Sequence, residues 1–351
     1  MIAWNTDNDT SDIERTIMNA LGRTHSLALI LVIVSISSRS LAAETENLFR
    51  VVAYVPNWIN LNEFSASIPY ERLTHINIAF ENPINENGEL SFHSANRSLI
   101  QKAHENGVKV LVSIGGGTSD EELRARYDVL QSPEKRSMFA KRLLDYVIEH
   151  DFDGLDVDIE GPAITAQYGP FIDAVAEVFQ PTGKLLTAAF SQGYGGKNVS
   201  DETLAKFDFV NIMAYDGAGP WNPNDARQHS SIEFAKSNTE YWLNRGLPKS
   251  KAVLGVPFYG YGFGSDFTPS GITYYAILAK HREAARVDQV GDTIWYNGTE
   301  TIRAKTEFAL DQRLGGIMIW SLNQDANDKN SLLRVIDETI QRSTTNPQNK
   351  K

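Results

Sequence analysis

The sequence predicts an α/β protein, a single-domain (β/α)8 TIM barrel, and three observations carry that prediction. Eight short β-rich runs follow one another: Val51–Val55, Thr74–Phe80, Lys109–Ile114, Gly154–Ile159, Leu185–Phe190, Phe207–Tyr215, Ala252–Phe258 and Gly315–Trp320. Most of the intervals between them hold a helical pattern, and strand followed by helix implies parallel pairing. The chain lacks the phosphate-binding glycine turn of an open doubly wound sheet, so closure of eight βα units is the favoured arrangement. A length of 351 residues with 42% hydrophobic content suffices for one such core.

Taken in order, the first βα unit looks weakest. Pro56-Asn-Trp58 and Pro83–Gly88 are loop-like, and the intervening helix near Pro69–Arg72 is short. The clearest helix is Ser132–Ile148, with a serine cap, Pro133 at the first helical position and Phe139, Leu143, Tyr146 and Val147 at helical spacing. Between the seventh and eighth runs, Ile272–Val287 and Thr299–Leu314 read as helices, with Gly291–Gly298 a hairpin-like excursion between them. No second domain fits in that interval.

Residues 1–43 read as an N-terminal extension and secretory signal. Ser26–Ile36 is apolar but shorter than the roughly 18–20 residues a spanning helix needs, and Ser40 with Ala42 supplies a small-residue cleavage site. Asp7, Asp9, Asp12 and Glu14 stand where a signal carries basic residues, so Met18 is the expected true start. The mature protein is then secreted or periplasmic and free of the membrane, with an uncleaved anchor as the alternative. Residues 44–342 form the barrel, and 343–351 read as a polar, disordered tail. A net charge of −11 with no basic patch argues against a nucleic-acid partner, and the absence of cysteine excludes disulfides, thiolate nucleophiles and zinc–cysteine sites.

The fourth run carries the most telling chemistry. In Asp151-Phe-Asp-Gly-Leu-Asp-Val-Asp-Ile-Glu160, apolar residues alternate with Asp156, Asp158 and Glu160, so three carboxylates share one face of one strand. Neighbours on that face lie about 6–7 Å apart, within electrostatic range. Like charges that close cannot all ionise freely, so at least one is held protonated, as a general acid requires. The competing readings are an exposed acidic strand and a carboxylate site for a divalent metal. The apolar residues around the motif oppose the first, and the second would recruit ligands from another nearby cluster.

Barrel active sites lie at the C-terminal ends of the strands, where the runs place Tyr54 and Trp58, Phe80, Ser113-Ile-Gly115-Gly116-Gly117, the three acids, Gln192, Met213-Ala-Tyr215-Asp216, Tyr259 and Trp320. Aromatics, acids and amides suit a carbohydrate, whose apolar faces stack on rings and whose hydroxyls hydrogen-bond. Phe80 or Tyr259 taken singly reads as core packing; their shared location shifts that weighting.

Asp153-Gly-Leu-Asp156-Val-Asp158-Ile-Glu160 resembles the DGxDxDxE signature of glycoside hydrolase family 18, the chitinases and endo-β-N-acetylglucosaminidases. Ser113-Ile-Gly115-Gly116 is similar to the family's SxGG, Met213–Asp216 to its MxYD, and Gly315–Ser321 to its final-strand tryptophan motif, so the resemblance runs from about Phe49 to Ile340. It departs at Gly117, where several chitinases have tryptophan, leaving Trp221 or Tyr261 to supply that platform. The interval before the last strand looks too short for the sizeable α+β insertion many of these chitinases carry.

The resemblance implies a family 18 catalytic domain over residues 44–342 that cleaves chitin or N-acetylglucosamine-containing oligosaccharides with retention, as a monomer without metal or organic cofactor. It implies that Glu160 protonates the glycosidic oxygen while the sugar's own 2-acetamido carbonyl attacks the anomeric carbon, the substrate-assisted exception among retaining glycosidases. Asp158 is then the orienting acid with Asp156 beneath it, Tyr54 and Ser113 hydrogen-bond that inner pair, and Tyr215 donates to the acetamido oxygen. Met213 and Asp216 border the same sugar, and Trp320 forms its floor. An endo-β-N-acetylglucosaminidase acting on N-glycan cores, a catalytically silent lectin and a peptidoglycan hydrolase are the alternatives; Met213–Asp216 with Trp320 favours the chitinase. The short insertion and Gly117 together predict an open groove and endo-acting cleavage.

Overall fold

The computed structural model describes residues 49–345 apart from Thr118 and Arg282, so the expected leader over residues 1–43 lies outside the described residues. Twelve strands and ten α-helices fall within this span. Eight strands run parallel and close into a barrel: β1 (Arg50–Pro56), β2 (His75–Ala79), β3 (Lys109–Gly115), β4 (Gly154–Asp158), β5 (Leu185–Phe190), β6 (Phe209–Ile212), β7 (Ala252–Pro257) and β12 (Gly316–Trp320). Closure is made by β1, which pairs with β2 on one side and β12 on the other. A parallel strand covered on both faces needs a continuous apolar run, and every residue of β1 after Arg50 is buried.

All eight expected runs become barrel strands. The sixth is shorter than expected, because the Ala214 amide bonds back to the Ile212 carbonyl at 2.8 Å and Asp216 takes a left-handed φ of 60°. These turn Met213–Asp216 off the ladder at the barrel mouth.

The helices are α1 (Leu61–Ser67), α2 (Asn96–Glu105), α3 (Glu121–Leu130), α4 (Arg136–Glu149), α5 (Tyr168–Phe179), α6 (Asp201–Leu204), α7 (Ile232–Asn244), α8 (Tyr274–Lys280), α9 (Thr299–Asp311) and α10 (Leu332–Thr345). Side-chain caps start several of them. Asp120 accepts the Leu123 amide at 2.7 Å ahead of α3, and Ser231 accepts that of Phe234 at 3.1 Å ahead of α7; such a cap contributes about 1 kcal/mol. Expected Phe139, Leu143, Tyr146 and Val147 form the buried face of α4, but that helix begins at Arg136 rather than after Ser132. The Ser132 carbonyl accepts the amides of Lys135 and Arg136, closing a turn that links α3 to α4. At the other end α10 continues to Thr345, and residues 346–351 of the expected tail lie outside the described ones.

The interval after β7 differs most from expectation. Instead of a helix over Ile272–Val287, it holds β8 (Tyr259–Gly262), β9 (Ile272–Thr273), the two-turn α8, and the hairpin β10 (Gln289–Val290) and β11 (Ile294–Trp295). The four strands form an antiparallel sheet in the order β10-β11-β8-β9, a compact α+β excursion. Thr273 explains the short helix: its hydroxyl caps α8 by accepting the Ala276 amide at 3.3 Å, so the β-branched pair Ile272-Thr273 stays extended.

Buried apolar residues divide into two clusters. The larger lies between barrel and helices, whereas the smaller fills the barrel interior with Val52, Phe209, Val253 and Met318. Tyr54, Tyr215, Tyr259 and Tyr261 belong to this inner cluster, with Phe80, Trp295 and Trp320 packed against it, so the barrel core rises directly into an aromatic mouth. Among the described residues no helix is long and apolar enough to cross a membrane.

Candidate active site

The three carboxylates of β4 and its end differ sharply in their surroundings. Asp156 is fully buried, and both of its oxygens are occupied by neutral donors: Tyr54 Oη at 2.6 Å and Ser113 Oγ at 2.8 Å on one, Thr187 Oγ1 at 2.6 Å and Asn211 Nδ2 at 3.3 Å on the other. Strand register explains the convergence, because Asp156 sits directly beside Ser113 on β3 and Thr187 on β5. Burial pushes its carboxyl above the usual range while those hydrogen bonds pull it back.

Asp158, two residues on, is buried beside Gly115, yet its Oδ1 has no hydrogen-bond partner. Its carboxyl is pushed well up, first by burial and then by repulsion from Glu160 and Asp156. An orphaned buried acceptor costs about 1–3 kcal/mol, so its retention in a folded protein calls for a reason. Glu160 lies just past the strand end and is pushed up to about 8 by burial and then by Asp216. It is therefore largely protonated at neutral pH while lying at the mouth, where a proton can be delivered.

Aromatic rings build the floor and one side. Trp320, at the end of β12, lies 5.4 Å from Tyr54 and stacks at 5.9 Å on Phe80, which stacks in turn at 6.3 Å on the exposed Trp58. Gly115 and Gly116, at φ 104° and 100°, are required by close approach: a Cβ at 115 meets the Asp158 carbonyl oxygen at 2.3 Å, and one at 116 meets the Phe80 ring at 2.7 Å. The SxGG segment therefore lets β3 lie against β4 and the Phe80 ring sit flat.

Across the mouth, Tyr215 is buried above Met318, whose Sδ lies 3.9 Å from its hydroxyl. Asp216 beside it accepts hydrogen bonds from Tyr259 at 2.5 Å and Tyr261 at 3.0 Å, while the exposed Trp221 meets the Tyr261 ring edge-on at 5.6 Å. Met213 belongs to the buried inner cluster. Gln192 stands apart, exposed on the loop two residues past β5.

Several residues at the site escaped sequence reasoning. Thr187 and Asn211 are polar residues in the middle of otherwise apolar strands, a legible signal that they face the interior. His229 is not legible in that way. It is fully buried, packs 5.2 and 5.1 Å from the rings of Tyr259 and Tyr261, and reaches Asp216 from 13 residues further along the chain. Tyr194, nearly half exposed, places its ring where any side chain at Gly161 would stand, next to Glu160.

Gly117 gains a reason of its own, since a Cβ there would stand 2.8 Å from Glu160 Oε1. The crowded atom is the end of a flexible side chain, so Gly117→Ala is expected to fold normally but to push the Glu160 carboxyl aside. Activity should fall about 10-fold, given the sensitivity of catalysis to displacements below 1 Å. Unchanged kcat with an unchanged melting temperature would mean that the Glu160 position is not critical.

Comparison with known proteins places this architecture. The sequence model of glycosyl hydrolases family 18 matches residues 50–325. The crystal structure of the GH18 chitinase ChiB from the chitin utilization locus of Flavobacterium johnsoniae is similar at 38% identity and a TM-score of 0.78, over 84% of this chain and 94% of that one. "Probable chitinase 10" of Drosophila melanogaster is 27% identical over 358 residues, 81% of this chain and 15% of that protein. A "chitinase-like effector" of Moniliophthora roreri is 30% identical over 240 residues, 60% of this chain and 58% of that protein. The chain thus spans less than two thirds of the length of either of these two relatives.

Proposed function

The chain belongs to glycosyl hydrolases family 18, and on that premise we propose that it is a chitinase, cleaving β-1,4-linked N-acetylglucosamine polymers with retention and with Glu160 as acid and base. The observation that carries this reading is the Asp158 carboxyl, buried and pushed towards its neutral form yet left without a partner for Oδ1. A 2-acetamido group supplies the missing N–H donor. The similarity to a chitinase at 38% identity supports the same substrate class.

In this mechanism Glu160 gives its proton to the glycosidic oxygen, and the C1–O bond to the leaving sugar breaks. The acetamido carbonyl oxygen of the sugar on the non-reducing side bonds to C1 from the opposite face, forming an oxazolinium ion. The acetamido N–H and the developing positive charge both favour the ionised form of Asp158, which accepts the first and stabilises the second, while Tyr215 donates to the acetamido oxygen. Water, deprotonated by the Glu160 carboxylate, then attacks C1, opens the ring and restores both the acetamido group and the acid. The two displacements at C1 give net retention. Trp320 supplies a floor for the reacting sugar, with Phe80 and Trp58 continuing the stack.

Residues 44–342 are taken as the catalytic domain and residues 1–43 as a cleaved secretory leader, which makes the enzyme secreted or periplasmic; that it acts as a monomer is a separate part of the proposal. Endo-acting cleavage is proposed on the missing side chain at Gly117, while β8 of the excursion after β7 adds Tyr259 and Tyr261 to one side of the mouth. Product analysis tests the substrate: chitin oligosaccharides should be cut, with the β-anomer formed first, while a high-mannose glycoprotein is left intact. Release of the glycan instead would assign the protein to N-glycan cores, and binding of oligosaccharide without turnover would make it a lectin.

A pH effect follows from the neighbour that acts on Glu160. The Asp216 carboxylate disfavours ionisation of Glu160, so it helps to keep the acid protonated at higher pH. Removing that charge in Asp216→Asn lets Glu160 lose its proton earlier. The alkaline limb of kcat/KM, expected near pH 8 in the wild type, should move to lower pH. A limb that stays in place or moves up would separate it from Glu160.

A further inference from the structure

Lys305 is a buried cation that the proposed mechanism does not use. It lies on α9, fully shielded from solvent, and its ammonium makes three hydrogen bonds of 2.7 Å, to Ser230 O, Ser230 Oγ and Asn297 Oδ1. All three acceptors are neutral. Burial drives its pKa down to about 7, opposed by the charges of Asp288 and Glu233. An ammonium is costly to keep in such a place, and three charge-assisted hydrogen bonds to one small target give it a definite geometric effect.

That target is the base of the loop carrying Tyr215 and Asp216. Between the end of β6 and the start of α7 the chain runs through residues 213–231 without a regular α-helix or β-strand. Its two ends are tied together where Ser230 Oγ donates to the Ala214 carbonyl at 2.6 Å, one residue before Tyr215. Next to this tie, the Gly217 amide donates to the His229 carbonyl at 2.9 Å, and the Asp216 amide faces His229 Nδ1 at 3.4 Å. Ser230 O also accepts from Asn297 Nδ2 at 2.8 Å, so the grip on Ser230 comes from α9 and from the segment leading into it. Asp216 holds a left-handed φ of 60°, a conformation that persists in a non-glycine residue where the surroundings impose it.

We infer that Lys305 is a positioning residue: by clamping Ser230 against Ala214 it closes the base of the 213–231 loop and sets Tyr215 and Asp216 at the barrel mouth. Its role in catalysis rests on the reaction proposed above, whereas its role in ordering the loop does not. A hydrocarbon at this position would fill the space but leave the loop base to a serine hydroxyl and one amide. No direct contact with substrate is implied, since Lys305 has no exposed surface.

The test is amide hydrogen exchange on the full chain, read without substrate, for the wild type, Lys305→Met and Ser230→Ala. Lys305→Met should raise exchange about 10-fold or more across residues 214–230 while the barrel strands keep wild-type protection, the pattern of local opening. Ser230→Ala, which removes only the hydroxyl that joins the ammonium to Ala214, should loosen the same segment and serves as the reading if Lys305→Met does not fold. On chitin oligosaccharides, kcat should fall about 10-fold with KM within about twofold, because the displaced groups act on the reacting sugar. Exchange that rises uniformly over the barrel would reduce Lys305 to a general stabiliser, and unchanged exchange at 214–230 would remove the clamp altogether. A wild type that cleaves none of the oligosaccharides would overturn the proposed function, leaving the clamp to be decided by the exchange data.

Discussion

Glu160→Gln is expected to lower turnover on chitin oligosaccharides by about 10²–10⁴-fold, the range that general acid catalysis supplies. The amide keeps the shape of the side chain but carries no transferable proton. Glu160 is held at the mouth by its position one residue past Ile159 and by Gly117, which leaves room for the carboxyl. Its surroundings raise it to about 8, matching the acid-then-base role proposed for it. Binding of an intact oligosaccharide, followed by tryptophan fluorescence from Trp320 and Trp58, should survive the substitution, since neither ring touches the proton in flight. Turnover within tenfold of the wild type would remove Glu160 from the acid role.

The second large effect is expected from Asp158→Asn, and it has two opposite parts. Activity should fall about 10²–10³-fold, the loss typical of removing one preorganised electrostatic partner of a developing charge. Stability should rise. The Asp158 carboxyl is raised in the folded state by burial, by Glu160 and by Asp156, so the native protein binds its proton more tightly than the unfolded chain does. Stability from this group is therefore fully present below the unfolded value of about 4 and declines as pH rises towards the raised folded value. An asparagine has no such penalty. The melting temperature of the variant should exceed that of the wild type, by a gap that opens as pH rises above about 4. A variant that melts lower than the wild type at pH 7 to 8 would mean that the Asp158 carboxyl is a stabilising group, contrary to its orphaned oxygen.

Much of this site was legible before any fold was known, because strand periodicity does geometric work by itself. The alternation Asp156, Asp158, Glu160 puts three acids on one face of a strand, and the rule that barrels work at their strand ends brings Tyr54, Phe80, Ser113, Tyr215 and Trp320 to one place. Their neighbours Thr187 and Asn211 were readable in principle as polar residues inside apolar strands. The helix over Thr299–Asp311 and the hairpin before it were also legible, but the antiparallel sheet that this hairpin joins was not, since four strands of two to four residues give too short a pattern for periodicity to distinguish from helix.

By itself, then, the order of residues determined the eight-stranded barrel, the identity of the acids and the family resemblance, each set by repeats within one strand or one βα unit. The tertiary structure alone decided how differently those acids are surrounded. Asp156 and Asp158 are alike in sequence, yet one has both oxygens filled by donors from β1, β3, β5 and β6, and the other is left with an empty acceptor. Desolvation and hydrogen bonding depend on what packs around a group, and those partners come from positions 31 to 102 residues away in the chain. The same holds for Lys305, whose link to Tyr215 passes through Ser230, 75 residues before it, and exists only once α9 packs behind the loop.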